Sequence, residues 1–230
     1  MTKWLTEDEL RRQWDDSAAE TFQLEPGTSV TPAAREFLMD RRAALYGDPK
    51  RSSSPSKKPE HMTALRGSVL VRKDHPVIRF RGEIDALEAA VIESAFVFQR
   101  LGLPALAQEM EEILQFLRQV LRCEVLSLPL PEIQLLGMTE EDIHVRSHEP
   151  QRFYGLGHFS PAPEHGEAVA RLNLLRTLTR RAELAAYDAC KDAHGLLPQR
   201  EELLRALNRL SSLFYVMMFR VLTREYQLEE

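Results

Sequence analysis

Four arginines lie in one leucine-rich segment near the end of the chain, RLNLLRTLTRRAEL, which covers residues 171–184. On a helix, Asn173, Arg176, Arg180 and Glu183 fall within an arc of about 80°, and leucines and alanines occupy the opposite side. A guanidinium fork binds phosphate oxygens through paired hydrogen bonds, so two arginines one turn apart suit a polyphosphate. The same spacing also fits ion pairs on a solvated helix face, which is the commoner use of such a stripe.

The last predicted helix repeats this design with uncharged polar groups. Asn208, Ser211, Ser212 and Tyr215 share one arc, and leucine, phenylalanine and methionine side chains lie behind it. Two consecutive helices are therefore each expected to carry a narrow polar stripe on a mostly apolar surface.

Histidines are concentrated in one part of the chain. His144 and His148 are one helical turn apart, a spacing that metal ligands use, and His158 and His165 follow. The pair lacks the glutamate of a zincin motif, so we favour a role other than metal binding. The two cysteines, Cys123 and Cys190, lie in helical patterns and are expected to be buried apolar residues.

Composition excludes several classes of protein. The 230 residues carry 30 basic and 35 acidic side chains, a net charge of −5 that argues against a nucleic-acid-binding protein. No stretch approaches 18 consecutive apolar residues, and the charged N-terminus lacks the apolar core of a secretion signal. We therefore expect a cytoplasmic protein that does not enter a membrane.

The elements that must position these residues are mainly helical. A capping box predicts a short helix from about Glu7, and a second helix is expected over residues 32–46. Residues 51–60 have the composition of a linker. The segments SVLVRK and PVIRFR alternate with a period of two, which predicts a β-hairpin or two short extended arms over residues 68–81.

Helical periodicity then continues from Glu83 to the end of the chain. Four long helices and one shorter helix are predicted, with an ordered loop over residues 153–166. The expected fold class is a mainly α, five-helix bundle with a small N-terminal helical and β-hairpin extension. The expected domains are an extension and linker over residues 1–60 and the bundle over residues 61–230.

Several segments resemble one enzyme family. RTLTRRAE followed by LNRLSSLFYV is similar to the corrinoid adenosyltransferases, in particular their ethanolamine-utilisation (EutT) type and the related PduO type. Five further segments resemble the EutT type in the same order: VTPAAREFLMDRR, KKPE, KDHPVIRFRGEID, GMTEEDIHVRSHEPQRF and HFSPAPEHG. Together they cover most of the chain from Val30 to Met218.

The resemblance implies a specific reaction. Such enzymes transfer the 5′-deoxyadenosyl group of ATP to the cobalt of a reduced cobalamin, and a helical bundle is the implied fold. It further implies Mg²⁺, a separate reductase that supplies the electron, a homo-oligomer with ATP near a subunit interface, and association with a bacterial microcompartment. The cysteine-containing metal motif that EutT proteins often carry before KKP is missing here, so no bound transition metal is expected.

Site residues follow from the same resemblance. It assigns Arg176 and Arg180 to the triphosphate, Asn208 to the nucleotide, and Glu183 to an arginine or to Mg²⁺. Asp85 is implied to pair with an arginine across the subunit interface, although a first-turn helix charge explains it equally well.

The glycine-rich ATP loop of the PduO type is not visible in this sequence. Its expected substitute is the segment 73–82, in which Lys73, Arg79 and Arg81 are candidate phosphate ligands. The family displaces the lower axial ligand of cobalt with a hydrophobic wedge, for which Phe153, Tyr154 and Phe159 are candidates, although such aromatics more often only pack. The histidines would face the corrinoid or serve the structure.

One alternative needs no ATP. A non-enzymatic, all-helical scaffold could use the arginine helix to bind acidic partners, and the residue pattern by itself fits this as well.

Overall fold

A computed structural model describes residues 3–13, 21–23, 28–34, 44–46, 59–67, 69–191 and 200–227. The chain divides into two compact units, Met1–Pro59 and Glu60–Glu230. In the described part of the chain, no helix is both long and apolar enough to cross a membrane.

The first unit contains short strands that pair in parallel. Strand β1 (Lys3–Leu5) pairs with β3 (Thr28–Val30), and β2 (Thr21–Gln23) pairs with β4 (Ala44–Tyr46). These two pairs are not hairpins, because parallel strands cannot be joined by a tight turn, and the hairpin predicted over residues 68–81 concerns the second unit. Helix α1 (Glu7–Gln13) confirms the short helix predicted from about Glu7.

Helix starts in this unit follow their capping residues. The Thr6 amide donates to Glu9 Oε2 (2.9 Å) and the Glu9 amide donates to Thr6 Oγ1 (3.4 Å), which forms the expected capping box. Residues 32–34 are helical, and the Ala34 amide donates to Thr31 Oγ1 (3.3 Å). The predicted helix over 32–46 is wrong at its end, since 44–46 is strand β4; residues 35–43 lie outside the described residues, as does most of the predicted linker.

A β-hairpin does exist, but it belongs to the second unit. Strand β5 (Met62–Arg66) pairs antiparallel with β6 (Val69–Arg72) around Gly67, whose φ is +53°. The segment PVIRFR is not its second strand, as it begins helix α2. Pro76 occupies the first helical turn and the Val77 amide donates to His75 Nδ1 (3.2 Å), so a local start signal overrides the alternation.

The rest of the second unit is helical. Its helices are α2 (Pro76–Arg100), α3 (Pro104–Val125), α4 (Glu140–His148), α5 (Pro150–Tyr154), α6 (Gly166–Cys190) and α7 (Glu201–Leu222). Helix α2 packs between α3 and α6, and α7 packs between α6 and α4 around one apolar core. The two-residue strands β7 (Gln134–Leu135) and β8 (Met138–Thr139) precede α4. The mainly α fold with four long helices is confirmed, and two shorter helices, α4 and α5, accompany them instead of the one predicted.

The residues on either side of α4 test two predictions, a capping box at its start and a loop after it. The predicted capping box between Thr139 and Asp142 is present at the start of α4. The predicted loop over residues 153–166 begins too early, because Phe153 and Tyr154 belong to helix α5, which ends at Gly155 with a φ of +67°. Pro150 at the first turn of α5 explains why a new helix starts there.

A buried polar cluster fastens the end of the chain to α3. Glu109 Oε2 accepts from the Tyr226 hydroxyl (2.6 Å), and Glu109 Oε1 accepts from Arg220 Nη1 (2.8 Å). The Arg220 guanidinium also lies over the Tyr226 ring, 4.5 Å from its centroid. Burial raises the pKa of Glu109, so these donors are what keep the carboxylate paired inside the fold.

This cluster yields a stability prediction. Tyr226→Phe should lower the free energy of unfolding by about 1.5–3 kcal/mol, because a hydrogen bond to a charged, buried group is lost. Tyr154→Phe is the matched control, since the buried Tyr154 hydroxyl has no hydrogen-bond partner among the described residues and its removal should cost less than about 1 kcal/mol. Urea unfolding measures both variants, and equal losses would contradict the assignment.

Candidate active site

The polar stripes of α6 and α7 lie side by side. The Asn208 amide donates to Glu183 Oε1 (3.1 Å), which joins the stripe of α7 to that of α6. At the other end, Phe159, just before α6, contacts Tyr215 late in α7, so the two helices are antiparallel. We call the residues Asn173, Arg176, Arg180, Glu183, Asn208, Ser212 and Tyr215 the polar strip. Ser211 is not part of it, because it is buried and donates to its own helix at the Asn208 carbonyl (3.0 Å).

The four arginines of α6 fall into two classes. Arg171 pairs with Glu93 of α2 (3.4 Å) and Arg181 pairs with Glu83 of α2 (2.5 Å). Arg176 is half-buried and donates through Nε and Nη2 to Asn173 Oδ1 (3.1 and 3.0 Å). Arg180 is exposed. Among the described residues neither Arg176 nor Arg180 forms an ion pair, so two adjacent guanidiniums in the strip lack a carboxylate partner.

An aromatic cluster closes one end of the polar strip. The Tyr215 hydroxyl accepts from the Phe159 amide and donates to the Phe159 carbonyl (both 3.2 Å), which fastens the loop before α6 onto α7. The Phe159 ring also packs edge-on against Phe219, 5.0 Å away. His158 stacks on Tyr215, and its Nε2 lies 3.2 Å from the His148 carbonyl oxygen. Phe159 is therefore placed beside the strip and is held there.

Phe153 lies in a different setting. Its ring is 37% exposed on α5, with the guanidinium carbons of Arg146 and Arg152 at 5.0 and 5.1 Å from its centroid. Such cation–π contacts belong to a solvated surface patch. Of the predicted aromatic wedge residues, only Phe159 contacts the polar strip.

The histidines do not form a metal-binding cluster. The rings of His144 and His148 are 4.4 Å apart, but no group of three or more His, Cys, Asp or Glu able to hold a metal occurs among the described residues. His165 Nδ1 accepts from the Ala162 amide (3.0 Å), which is a structural use of its ring. His144 Nδ1 is buried with no hydrogen-bond partner in the described structure.

The predicted phosphate-binding segment leads into the start of α2, close to the end of α6. Lys73 and Arg79 are exposed, and neither contacts a strip residue within the part of the chain that is described. Arg79 lies near the end of α6, where it helps to lower the pKa of Asp188 after the larger effect of the hydrogen bond from Lys191.

Arg81 is differently engaged. Its Nε and Nη2 donate to Oε2 and Oε1 of Glu124 (2.7 and 3.2 Å), and Nη1 donates to the Leu65 carbonyl (2.9 Å). Three of its five N–H donors are thus used inside the fold. Two N–H donors of Arg81 remain for a phosphate, and its contact with phosphate stays a prediction.

Asp85, the residue implied to pair across the subunit interface, is exposed on α2 and forms no ion pair with any described residue. Ala89, Ile92 and Phe96 follow it at helical spacing, and Ile92 and Phe96 are 42% and 60% exposed. The carboxylate therefore begins a mostly apolar stripe that nothing in the described chain covers.

One charged cluster in the structure was not predicted from the sequence. Glu124 is only 6% exposed and holds both Arg66 and Arg81. A signal was present, because Glu124 continues the core-facing series of α3 through Leu117 and Val120, and a carboxylate on a core face requires a cationic partner. The neighbouring residues do not indicate which cation that partner is, because Arg66 and Arg81 lie 58 and 43 residues away in the sequence.

The sequence is similar to a protein family and to individual proteins that are all described as adenosyltransferases. A family model described as cobalamin adenosyltransferase matches residues 55–221. Corrinoid adenosyltransferase EutT from Escherichia coli (strain K12) is 29% identical over 258 aligned residues, 98% of this chain and 94% of that protein. EutT from Salmonella typhimurium is also 29% identical, over 95% of this chain and 92% of its own length.

A solved structure shares the fold. It is a variant of a PduO-type ATP:corrinoid adenosyltransferase from Lactobacillus reuteri, complexed with cobalamin and ATP. The TM-score is 0.56 at 19% identity, and the match covers 75% of this chain and 94% of that one.

The tether between Tyr215 and the loop can be measured directly. Tyr215→Phe should speed hydrogen exchange of the Phe159 amide roughly 3- to 10-fold, because the hydroxyl that accepts from this amide is lost. Tyr187→Phe, at an exposed tyrosine of α6, is the control and should leave that exchange unchanged. Hydrogen-exchange mass spectrometry of peptides spanning 155–162 decides, and unchanged rates in both variants would show that the tether does not order the loop.

Proposed function

The chain belongs to the cobalamin adenosyltransferase family, and from this premise we propose that it adenosylates a reduced corrinoid with ATP. Co(I) attacks the 5′ carbon of ATP with its electron pair and forms the Co–C bond. The bond from that carbon to the triphosphate oxygen breaks, and triphosphate leaves with the bonding electrons. The products are adenosylcobalamin, with cobalt formally Co(III), and triphosphate.

The single observation that carries this proposal is the pair of arginines without carboxylate partners. Arg176 and Arg180 present adjacent guanidiniums from one helix, and triphosphate gains negative charge as the C–O bond breaks. Cations already in place at that position stabilise the transition state more than the ground state, since they need not reorganise. Oriented binding of the two reactants contributes up to roughly 7–11 kcal/mol more.

Other strip residues have supporting roles. Asn208 donates to Glu183, so it holds the carboxylate in place, and its exposed side chain would hydrogen-bond a nucleotide bound along the strip. Glu183 keeps its second oxygen available for an arginine or for Mg²⁺, which prefers carboxylate oxygen ligands and would offset phosphate charge. We propose Lys73 and Arg79 as further triphosphate ligands, and Arg81 with its two remaining donors.

The corrinoid would lie at the aromatic end of the strip. Phe159 is the stronger candidate for the hydrophobic group that displaces the lower axial ligand, because Tyr215 and Phe219 hold it rigidly beside the strip. Phe153 remains a candidate only through movement of α5. The unit 60–230 would thus be the ATP- and corrinoid-binding domain.

A second copy of the chain would complete the site. Within one chain Asp85 forms no ion pair with Arg176 or Arg180, and it stands at the start of the exposed stripe that contains Phe96. Leu184 on α6 is 69% exposed as well. Burial of these side chains against a partner, with Asp85 paired to the partner's arginine, accounts for both features.

Cellular context follows the relatives. We propose that the product serves ethanolamine utilisation, as in the EutT proteins, in the cytoplasm and in association with a microcompartment. A separate reductase would supply the electron that converts Co(II) to Co(I). The scaffold alternative has no observation in its favour that the enzyme does not explain.

Removing one guanidinium tests whether the arginines of α6 that lack a carboxylate partner act on the triphosphate. With chemically reduced cobalamin, ATP and Mg²⁺, the wild-type protein should form the Co–C bond, followed by the absorbance change of the corrin. Arg180→Ala should lower kcat/KM roughly 100-fold, the effect of losing one donor to a developing charge. The control Arg181→Ala should change it less than about fivefold, because it removes only an exposed ion pair with Glu83.

Two outcomes would count against the proposal. Equal losses in Arg180→Ala and Arg181→Ala would remove the distinction between the two classes of arginine. Activity that vanishes on chelation and returns with Zn²⁺ or Fe²⁺, but not with Mg²⁺, would show that a transition metal is needed.

The oligomer is tested by a charge on the exposed stripe. Phe96→Glu should convert a multimer to monomers in size-exclusion chromatography with light scattering, because a buried, unpaired carboxylate is costly at an interface. Turnover should fall with it, as the partner's Asp85 is lost from the site. Leu126→Glu changes a residue that is 53% exposed at the end of α3 and should leave the multimer intact. A wild-type monomer would refute the completed-site proposal.

A further inference from the structure

Glu124 holds two arginines from two different elements. It lies near the end of α3, with its side chain 6% exposed, and receives Arg81 of α2 in a bidentate pair. Arg66 of β5 approaches the same carboxylate (3.5 Å) and the Glu124 carbonyl (3.4 Å). We infer that Glu124 is a positioning residue for the reaction, which fixes the hairpin so that Lys73 and Arg79 are presented to the triphosphate of ATP. This inference rests on the proposed function.

The cluster joins the hairpin to the helices at three points. Besides the two ion pairs, Arg81 Nη1 donates to the Leu65 carbonyl of β5 (2.9 Å). A guanidinium in a fork of this kind has a defined direction as well as a charge. The hairpin therefore cannot shift relative to α2 and α3 without breaking charge-assisted hydrogen bonds in a site with little solvent.

The segment that follows the hairpin is short and held at both ends. The Lys73 amide donates to the His61 carbonyl (2.9 Å), and His75 caps α2 through the Val77 amide. Arg72 and Asp74 pair through two hydrogen bonds (3.0 and 2.6 Å) across the turn. The directions of Lys73 and Arg79 thus depend on where the hairpin meets α2, which is the junction that Glu124 fixes.

A purely structural role makes a different prediction. If Glu124 only stabilised the fold, its loss would lower stability and leave the affinity for ATP unchanged in the folded fraction. A positioning role acts on phosphate contacts that exist both before and during bond cleavage, so it should appear in the KM for ATP rather than in kcat.

The test is Glu124→Gln in the active full-length enzyme. We expect the KM for ATP to rise about tenfold, with kcat within about twofold and the KM for cobalamin unchanged. Arg81→Gln should raise the KM for ATP at least as much, because it removes the same ion pair and a proposed triphosphate ligand as well, and the double variant should therefore add little to Arg81→Gln alone. The control is Glu109→Gln, which breaks another buried carboxylate–arginine pair on α3, with Arg220, and should leave the KM for ATP unchanged.

Each result has one meaning. A folded Glu124→Gln variant with unchanged KM for ATP overturns the inference and leaves the proposed function intact. An equal rise in Glu109→Gln overturns it too, since general loosening of α3 would then suffice. If Glu124→Gln does not fold, Arg66→Gln at a side chain that is 40% exposed decides, with about a threefold rise expected and no rise overturning the inference. A wild-type protein without turnover overturns the proposed function and this inference together.

Discussion

The site depends on how carboxylate partners are distributed along α6, because in the described chain two of its four arginines form ion pairs and two do not. Arg171 and Arg181 are neutralised by carboxylates of α2. The rotation of α6 about its own axis is instead fixed by its buried face, which includes Leu172, Leu175 and Ala182. With that rotation fixed, the 100° step per residue turns Arg176 and Arg180 toward the α7 side. That Arg176 and Arg180 have no ion-pair partner among the described residues is thus a property of two helices rather than of one.

Local signals predicted most helices because their starts are chemically marked. The capping boxes at Thr6 and Thr139 predict the starts of α1 and α4. The prolines that open α2 and α5 are local start signals too, although the prediction places a strand at the first and ends a helix before the second. The wrong prediction of a strand at PVIRFR also comes from a local pattern. A six-residue segment fits both a period of two and a period of 3.6, and the helix start at Pro76 together with the burial of Phe80 and Ile84 against the bundle decides between them.

The candidate site was predictable in composition but not in arrangement. Helical periodicity placed Asn173, Arg176, Arg180 and Glu183 on one stripe, because that is a property of a single element. The bonds from Glu124 to Arg81 and from Tyr215 to Phe159 span 43 and 56 residues, and no local pattern encodes such distances. Arg81 shows the consequence, because a residue type suited to phosphate was already engaged by a carboxylate of another helix.

The polar strip also has a direction that suits a displacement reaction. Asn208 and Tyr215 are seven residues apart on α7, which is roughly 10 Å along the helix. The nucleophile and the leaving group must lie on opposite sides of the carbon that is transferred. The aromatic end beside Phe159 suits the corrin, and Arg180, which lies farther from that end than Arg176, suits the triphosphate, so the adenosyl carbon would lie between them. A helix pair that separated these two environments less would hold the reactants without aligning them, and proximity without alignment contributes little to rate.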